Sequence, residues 1–350
     1  MNLYTPDGWL DIDGILACGQ PFIFVVGGRG TGKTYGALKR ARERSIMEGR
    51  RFMLLRRLQS QVDLVNKPEY SPFKSIDRDH NYLTASRPLS KYTAGFYEAD
   101  RGEDGNPIPK GPCIGYTAAL STISNMRGFD ASDVDLIVYD EFIPESHERP
   151  LKDEAAALFN AYETINRNRE LNGRTPAQLL CLANANDLGN PIFLSLGLVN
   201  RAEQMRSKGR EVWIDDKRGI CLIILQKSPI GNKKRNTALY RLTGGTEFAE
   251  MSLENRFSGE EHSHIRNMPL REFNPIVQVG EICIYRHKSE GGLYYVSTHT
   301  TGSPPRYGAG PVNLQRFRTG FHWLYQQYML GHIVFEQYLC EILFKKYFFC

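Results

Sequence analysis

Apolar residues in this chain gather into short runs near 21–26, 51–57, 113–119, 134–140, 177–184 and 220–226, each rich in β-formers. Runs of that length predict buried strands, as in a parallel sheet. Helix-prone segments lie between them: "YGALKRARERSIMEG" runs to Gly49, and "FNAYETINRNRE" occupies 159–170. Polar material at 80–100 reads as a hairpin. The pattern therefore predicts one doubly wound α/β domain over residues 1–227. "QKSPIGNKKRNT" (226–237) is the clearest break in composition, with Pro, Gly, Asn and four basic residues. It opens a linker, 228–258, in which 238–257 reads as two short helices joined by "TGG". Residues 259–350 then predict a small α+β domain. Its β-rich segments "IVQVGEICIYRH" and "GLYYVSTHT" precede one long aromatic helical stretch, "QRFRTGFHWLYQQYMLGHIVFEQYLCEILFKKYF".

Composition changes this picture little. A chain of 350 residues with 41% hydrophobic and 24% charged residues suits two ordinary globular domains. A formal charge of +5 permits nucleic-acid binding without demanding it. The seven cysteines are scattered, with no C-x-x-C pair, which predicts reduced thiols in a cytosol rather than a disulfide frame or a zinc site. No apolar run approaches the roughly 18 residues of a membrane span. "MNLYTPDGW" has neither the basic start nor the apolar core of a signal peptide.

The chemistry begins at "VVGGRGTGKTYG" (25–36), which fits the P-loop spacing G-x-x-x-x-G-K-[ST] from Gly27 to Thr34. The segment Gly27, Gly28, Arg29, Gly30, Thr31, Gly32 would turn its N–H groups toward a nucleotide's phosphates, an approach that side chains would obstruct. Lys33 would reach the β- and γ-phosphates, and the Thr34 hydroxyl would ligate Mg2+. A strand before the loop and a helix after it supply the expected context, since a helix N-terminus favours anions. ATP and Mg2+ are the implied cofactors.

"DLIVYDEF" (135–142) predicts a strand ending in two acids. Asp140 is placed to hold the Mg2+ shell, and Glu141 to polarise the attacking water as general base. The pair also sorts subclasses. A GTPase needs a guanine-reading N-K-x-D after the metal strand, and "NKPE" (66–69) ends in Glu and precedes it. A kinase must keep water away, so a water-activating Glu is out of place there. Hydrolysis that drives motion fits better.

"NRNRE" brings Arg167 and Arg169 to the end of a helix, where either could be an arginine finger or a solvated cation at a helix C-terminus. "AQLLCLANAND" (177–187) predicts a strand tipped by Asn184, a γ-phosphate sensor or a strand-end cap. Lys227, Lys233, Lys234 and Arg235 either track a DNA backbone or are solvated.

These strings together resemble the DNA-packaging ATPases of phi29-like tailed phages, encapsidation motors distantly related to terminase large subunits. The strings that carry the likeness are "GGRGTGKT", "RR" (56–57), "IVYDEF", "NRNRE", "CLANANDLGNPIF" and "LTGGTEFAEMSLENRF", in that order from about 20 to 257. The resemblance implies an ASCE-type P-loop ATPase domain over 1–227 and a homo-oligomeric ring, usually of five subunits. That ring sits on the portal of an empty procapsid and drives double-stranded DNA inward. It implies that Arg29 is the basic residue such motors carry in the loop, and that Arg167 is the finger reaching a neighbour's ATP. Arg127, in "SNMRGFD" (124–130), becomes a candidate for a cross-subunit phosphate or DNA contact. The motor would work in the host bacterial cytoplasm, on the procapsid and not in the mature virion. A structural packaging RNA between ring and portal is left open.

For residues 259–350 the resemblance implies an RNase H-like domain. Nucleases of that kind hold two metals with clustered carboxylates. The last Asp of this chain is Asp216, and only scattered Glu follow 259, so no nuclease is expected. Phe321, Trp323, Tyr325 and Tyr328 are expected in a core rather than as a base-stacking platform, because duplex DNA offers a motor its backbone. Two other readings stay open: a helicase or recombination-type P-loop motor, and a slow nucleotide-dependent scaffold for assembly.

Overall fold

The computed structural model describes residues 1–349 except 104, 127, 145–147, 149–150, 185–186, 227, 247–248, 250–252 and 254–263. It divides into two compact units. One comprises Met1–Leu196 and Met205–Ser258, the other Gly197–Gln204 and Gly259–Cys350.

The first unit is built on nine strands: β1 (Phe22–Gly27), β2 (Arg51–Arg56), β3 (Thr84–Pro88), β4 (Thr93–Arg101), β5 (Pro107–Ala119), β6 (Val134–Asp140), β7 (Gln178–Asn184), β8 (Val212–Asp215) and β9 (Ile220–Ile224). Their order across the sheet is β3-β4-β5-β2-β6-β7-β1-β9-β8. The six central strands, β5-β2-β6-β7-β1-β9, are parallel, and they correspond to the six apolar runs. The hairpin β3–β4 extends one edge antiparallel, and β8 extends the other. β8, "VWID", is four residues long and only partly buried, so the apolar pattern does not announce it.

Alternate residues of β1 point to opposite faces of the sheet. On one face Ile23 and Val25 share a core with Ala37, Leu38 and Ala41 of the helix Lys33–Glu48. Leu10, Ile12 and Ile15 of the N-terminal segment close over the same core. On the other face Phe24 meets Phe142 and Phe193 edge-on, at centroid distances of 5.9 and 5.7 Å. The helix that follows β6 runs Glu154–Asn166, so it starts before and ends earlier than "FNAYETINRNRE". After β9, where the sequence suggests only loop, Pro229–Lys234 is a short helix with proline in its first turn, followed by a helix Ala238–Leu242. The second helix expected near 246–257 falls largely outside the described residues.

The second unit carries β10 (Phe273–Val279), β11 (Ile282–His287), β12 (Tyr294–Ser297), β13 (Arg306–Tyr307) and β14 (Ile333–Phe335), in the order β13-β10-β11-β12-β14. β10, β11 and β12 form an antiparallel meander, and β13 and β14 join its two edges in parallel. The single closing helix expected from the sequence is in fact two, Pro311–Met329 and Tyr338–Phe349, with β14 between them. Gly331, at φ 74°, ends the first helix, and the β-branched pair Ile333–Val334 then pairs with β12. Of the four aromatics, Phe321 and Tyr328 pack on the core of this unit. Trp323 is 36% exposed and lies against Tyr294.

Candidate nucleotide site

In open parallel sheets ligands bind beyond the carboxyl ends of the strands. Here β1 ends at Gly27, β6 at Asp140 and β7 at Asn184, with β7 as the strand between the other two. The register sets Gly27 beside Asn184 and Asp140 beside Leu182, so all three tips lie along one edge.

The loop from β1 turns through Gly30 at φ 66° and Gly32 at φ 90°, conformations that a side chain would strain. Gly32 is also the N-cap of the helix Lys33–Glu48. Lys33 folds back over the loop and is only 6% exposed. Its ammonium donates to the carbonyls of Gly27 at 3.0 Å and Gly28 at 2.7 Å, and it reaches Asn184 Oδ1 at 3.4 Å and Thr31 Oγ1 at 3.5 Å. Among the described residues no carboxylate forms an ion pair with it. Burial pushes Lys33 down to about 7; the Asp140 charge opposes this, while the Lys234 and Arg29 charges add to it. A buried cation held by carbonyl dipoles is a cradle for an anion.

Thr34 Oγ1 donates to Asp140 Oδ1 at 2.9 Å. A hydroxyl and a carboxylate converging on one point are hard oxygen ligands of the kind Mg2+ takes alongside phosphate oxygens. The residues present therefore fit a nucleoside polyphosphate with Mg2+. Asp140 is buried, and its second oxygen accepts from Arg56 Nη1 at 2.9 Å. That same Nη1 stands 3.7 Å from Glu141 Oε2.

Among the described residues Glu141 is one of four non-glycines with positive φ, at 58°. Directly after it, the Phe142 N–H bonds back to the Leu182 carbonyl at 3.2 Å. The chain thus leaves β6 through a left-handed residue, and the Glu141 carboxylate stays 54% exposed at the sheet edge. Such backbone costs about 1–3 kcal/mol and is retained where the surroundings impose it.

Behind these acids lies a buried polar network that the sequence reading did not anticipate. Arg57 Nε donates to Glu154 Oε1 at 2.9 Å, and the Tyr139 hydroxyl donates to the same oxygen at 2.9 Å. Arg57 Nη1 also reaches Glu148 Oε2 at 3.1 Å. Burial, then the Glu154 charge, pushes Tyr139 well above its ordinary value, so it stays a donor. The "RR" string thus divides its work: Arg56 faces Asp140 and Glu141, and Arg57 anchors the first residue of the helix Glu154–Asn166.

The two arginines of "NRNRE" also separate. Arg169 is 3% exposed; it bonds Asp135 Oδ1 at 2.9 Å and the carbonyls of Ser132 and Val134, which makes it an internal brace. Arg167 is the C-cap of its helix, at φ 48°, with a side chain 47% exposed. Its guanidinium donates to the Phe129 carbonyl at 3.1 Å and lies 3.6 Å from Asp130. Those residues precede β6, so Arg167 stands at the far end of that strand from Asp140. Seven strand residues at about 3.3 Å each make that about 20 Å, and Arg167 is not part of the cluster around Lys33.

Arg127 and Lys227 lie outside the described residues. Lys233 Nζ donates to the Asp7 carbonyl at 2.9 Å, and Arg235 is exposed. Lys234 is turned toward the P-loop, where its Nζ donates to the Arg29 carbonyl at 3.1 Å.

Residues 105–299 match the family described as the podovirus DNA encapsidation protein (Gp16). The DNA packaging protein of Bacillus phage PZA is 30% identical over 264 residues, which is 75% of this chain and 68% of that protein. The DNA packaging protein of Bacillus phage B103 is 25% identical over 340 residues, covering 92% of this chain and 96% of its own. A chain of the bacteriophage phi29 viral genome packaging motor assembly superposes with a TM-score of 0.67 at 23% identity, covering 97% of this chain and 99% of its own. That last likeness is one of fold. The order of motifs along the sequence, the strands that carry them and the extent of these matches converge: this chain belongs to the podovirus DNA encapsidation protein family.

Proposed function

We propose that the protein is a Mg2+-dependent ATPase that drives double-stranded DNA into a procapsid as a ring on the portal. The observation that carries this reading is the convergence of Lys33, Thr34, Asp140 and Asn184 at one sheet edge, with Glu141 held in a left-handed backbone beside them. The single strand interposed between β1 and β6 supports the ASCE type, and its tip, Asn184, touches Lys33.

Bound Mg2+ would neutralise charge between the β- and γ-phosphates. The chain's own residues do the rest. Gly27–Gly32 present backbone N–H groups, Arg29 adds charge from within the loop, and Lys33 leaves its carbonyl partners for the phosphates. Thr34 and Asp140 would hold the metal, and Arg56 fixes the Asp140 carboxylate. Glu141 takes a proton from the attacking water, which its exposure at the edge allows. Asn184 exchanges Lys33 for the γ-phosphate when that group is present, so β7 senses hydrolysis.

Arg167 completes a neighbour's site in a ring, usually of five subunits. Its position at the opposite sheet edge supports service in trans rather than in cis. Residues 1–227 are the ATPase domain, 228–258 the linker and 259–350 a vestigial RNase H-like domain. The meander β10–β12 with parallel edge strands supports this last assignment. The loss of Asp after 216 supports docking rather than cutting. The partners are duplex DNA, the portal and, in systems that use one, a packaging RNA. The work takes place in the host bacterial cytoplasm, on the procapsid.

The test is ATP turnover of the full chain alone, with duplex DNA, and with DNA plus procapsids. Turnover that rises with both supports a packaging motor. Stimulation by DNA without any effect of procapsids would favour a helicase-type motor, and turnover indifferent to both would favour a scaffold.

A further inference from the structure

The basic segment after β9 looks, in sequence, like a linker or a DNA contact, and the fold gives one of its lysines a different address. The helix Pro229–Lys234 is seated on the N-terminal turn: a Cβ on Gly8 would stand 3.0 Å from Pro229 Cβ, and Lys233 holds the Asp7 carbonyl. This seating carries Lys234 to the middle of the P-loop, 205 positions away from Arg29 in the chain. There its ammonium donates to the Arg29 carbonyl, and a Cβ on Gly30 would collide with it. Among the described residues no carboxylate pairs with Lys234. Burial pushes it below the ordinary lysine range, and its charge in turn depresses Lys33.

Three cations therefore surround one loop of backbone: Lys33 from the helix, Arg29 from within the loop, and Lys234 from a segment beyond the sheet. The charges of Lys234 and Arg29 both disfavour the charged form of Lys33, and a ligand of high negative charge offsets that repulsion. An ammonium whose partner is a neutral carbonyl also gains by exchanging it for a phosphate oxygen, because charge-assisted bonds are the stronger.

We infer that Lys234 is a phosphate-contacting residue of the nucleotide site, a second lysine closing over the P-loop of its own subunit. This rests on the nucleotide reading proposed above. It has a consequence for the segment as well. Because Lys234 ends the helix Pro229–Lys234, phosphate contact fixes that helix and release frees it, so the start of the linker follows the nucleotide state.

Two measurements on the full chain test the inference. The first is calorimetric affinity for a non-hydrolysable ATP analogue with Mg2+, for Lys234→Met, Lys33→Ala and the unaltered protein. Lys234→Met, which keeps the apolar stem, should weaken binding about tenfold, the loss of one charge-assisted bond. Unchanged or tighter binding by Lys234→Met, with binding lost in Lys33→Ala, overturns the inference and leaves the nucleotide site standing. Normal binding by both variants overturns the site itself. The second measurement needs no variant: acylation of lysines in the unaltered protein, read by mass spectrometry. Saturating analogue should protect Lys234 several-fold relative to exposed Lys110, and equal labelling with and without it overturns the inference.

Discussion

Arg56, the last residue of β2, holds Asp140, the last residue of β6, by a 2.9 Å bond from Nη1 to Oδ2, while Thr34 takes the other carboxylate oxygen. The acid that would carry the metal is thus clamped from both sides. Arg56→Ala should retain nucleotide but lower turnover about tenfold to a hundredfold, as expected for one charge-assisted bond to a buried carboxylate. The loss should shrink at high Mg2+. Turnover measured against Mg2+ concentration checks this, and a uniform loss at every concentration would argue that Arg56 acts elsewhere.

Glu141→Gln should bind ATP normally and cease to hydrolyse it, whereas Lys33→Ala should not bind. Glu141→Gly is a sharper probe, because glycine accepts a φ of 58° without strain. Its melting temperature should equal or exceed that of the unaltered protein while its turnover vanishes. A Glu141→Gly protein with normal hydrolysis would remove the general base from this position.

Lys33 predicts a pH signature. A base held at about 7 in the folded protein binds fewer protons than the unfolded chain up to its ordinary 10.5. Its burial therefore costs most below pH 7, and stability rises with pH from about 7 to 10.5 as the folded form loses the proton first. Phosphates favour the charged form, so nucleotide binding near pH 8 should take up close to one proton, falling toward zero by about pH 6. Calorimetry in buffers of different ionisation enthalpy measures this, and a binding heat at pH 8 that does not change with the buffer would remove Lys33 as the group that takes up the proton.

Arg167→Ala should leave ATP bound with turnover reduced about 10³-fold or more, the range of an arginine finger. Mixed with Lys33→Ala subunits, each inactive alone, it should regain hydrolysis in proportion to random assembly. A flat zero in rings shown to contain both variants would mean that Arg167 does not serve a neighbour.

The buried pair Arg57–Glu154 should matter for stability. Arg57→Ala strands Glu154 and should cost about 3–5 kcal/mol, whereas Arg57→Met with Glu154→Gln should cost much less. Chemical denaturation distinguishes them, and equal losses would show that no charge had been stranded.

Five of the six parallel strands were legible because each is buried on both faces and so written as an apolar run, and β5 was legible only through its buried second half, 113–119. β8 was not, being short and half-exposed, and neither was β14, hidden inside a stretch whose aromatic content reads as helix. The P-loop and the acid pair were legible because their chemistry depends on neighbours in sequence. Arg56 and Lys234 were not, since their partners lie 84 and 205 positions away and only the order of strands brings them together. For Arg56 a signal did exist. A basic residue at the tip of one central strand and an acid at the tip of another meet whenever those strands are adjacent.

The helix Glu154–Asn166 begins at a residue locked to Arg57, just after β2, and to Tyr139 of β6, beside Asp140 and Glu141, and its C-cap is Arg167. Thirteen helical residues span about 20 Å as a stiff rod. A tilt of about five degrees at the anchored end displaces the other by nearly 2 Å, more than a hydrogen bond tolerates. In the proposed ring this helix would be a lever joining the edge that would cleave ATP to the edge presented to the next subunit. Timing between subunits would then be set by the mechanics of one helix, with no diffusing signal.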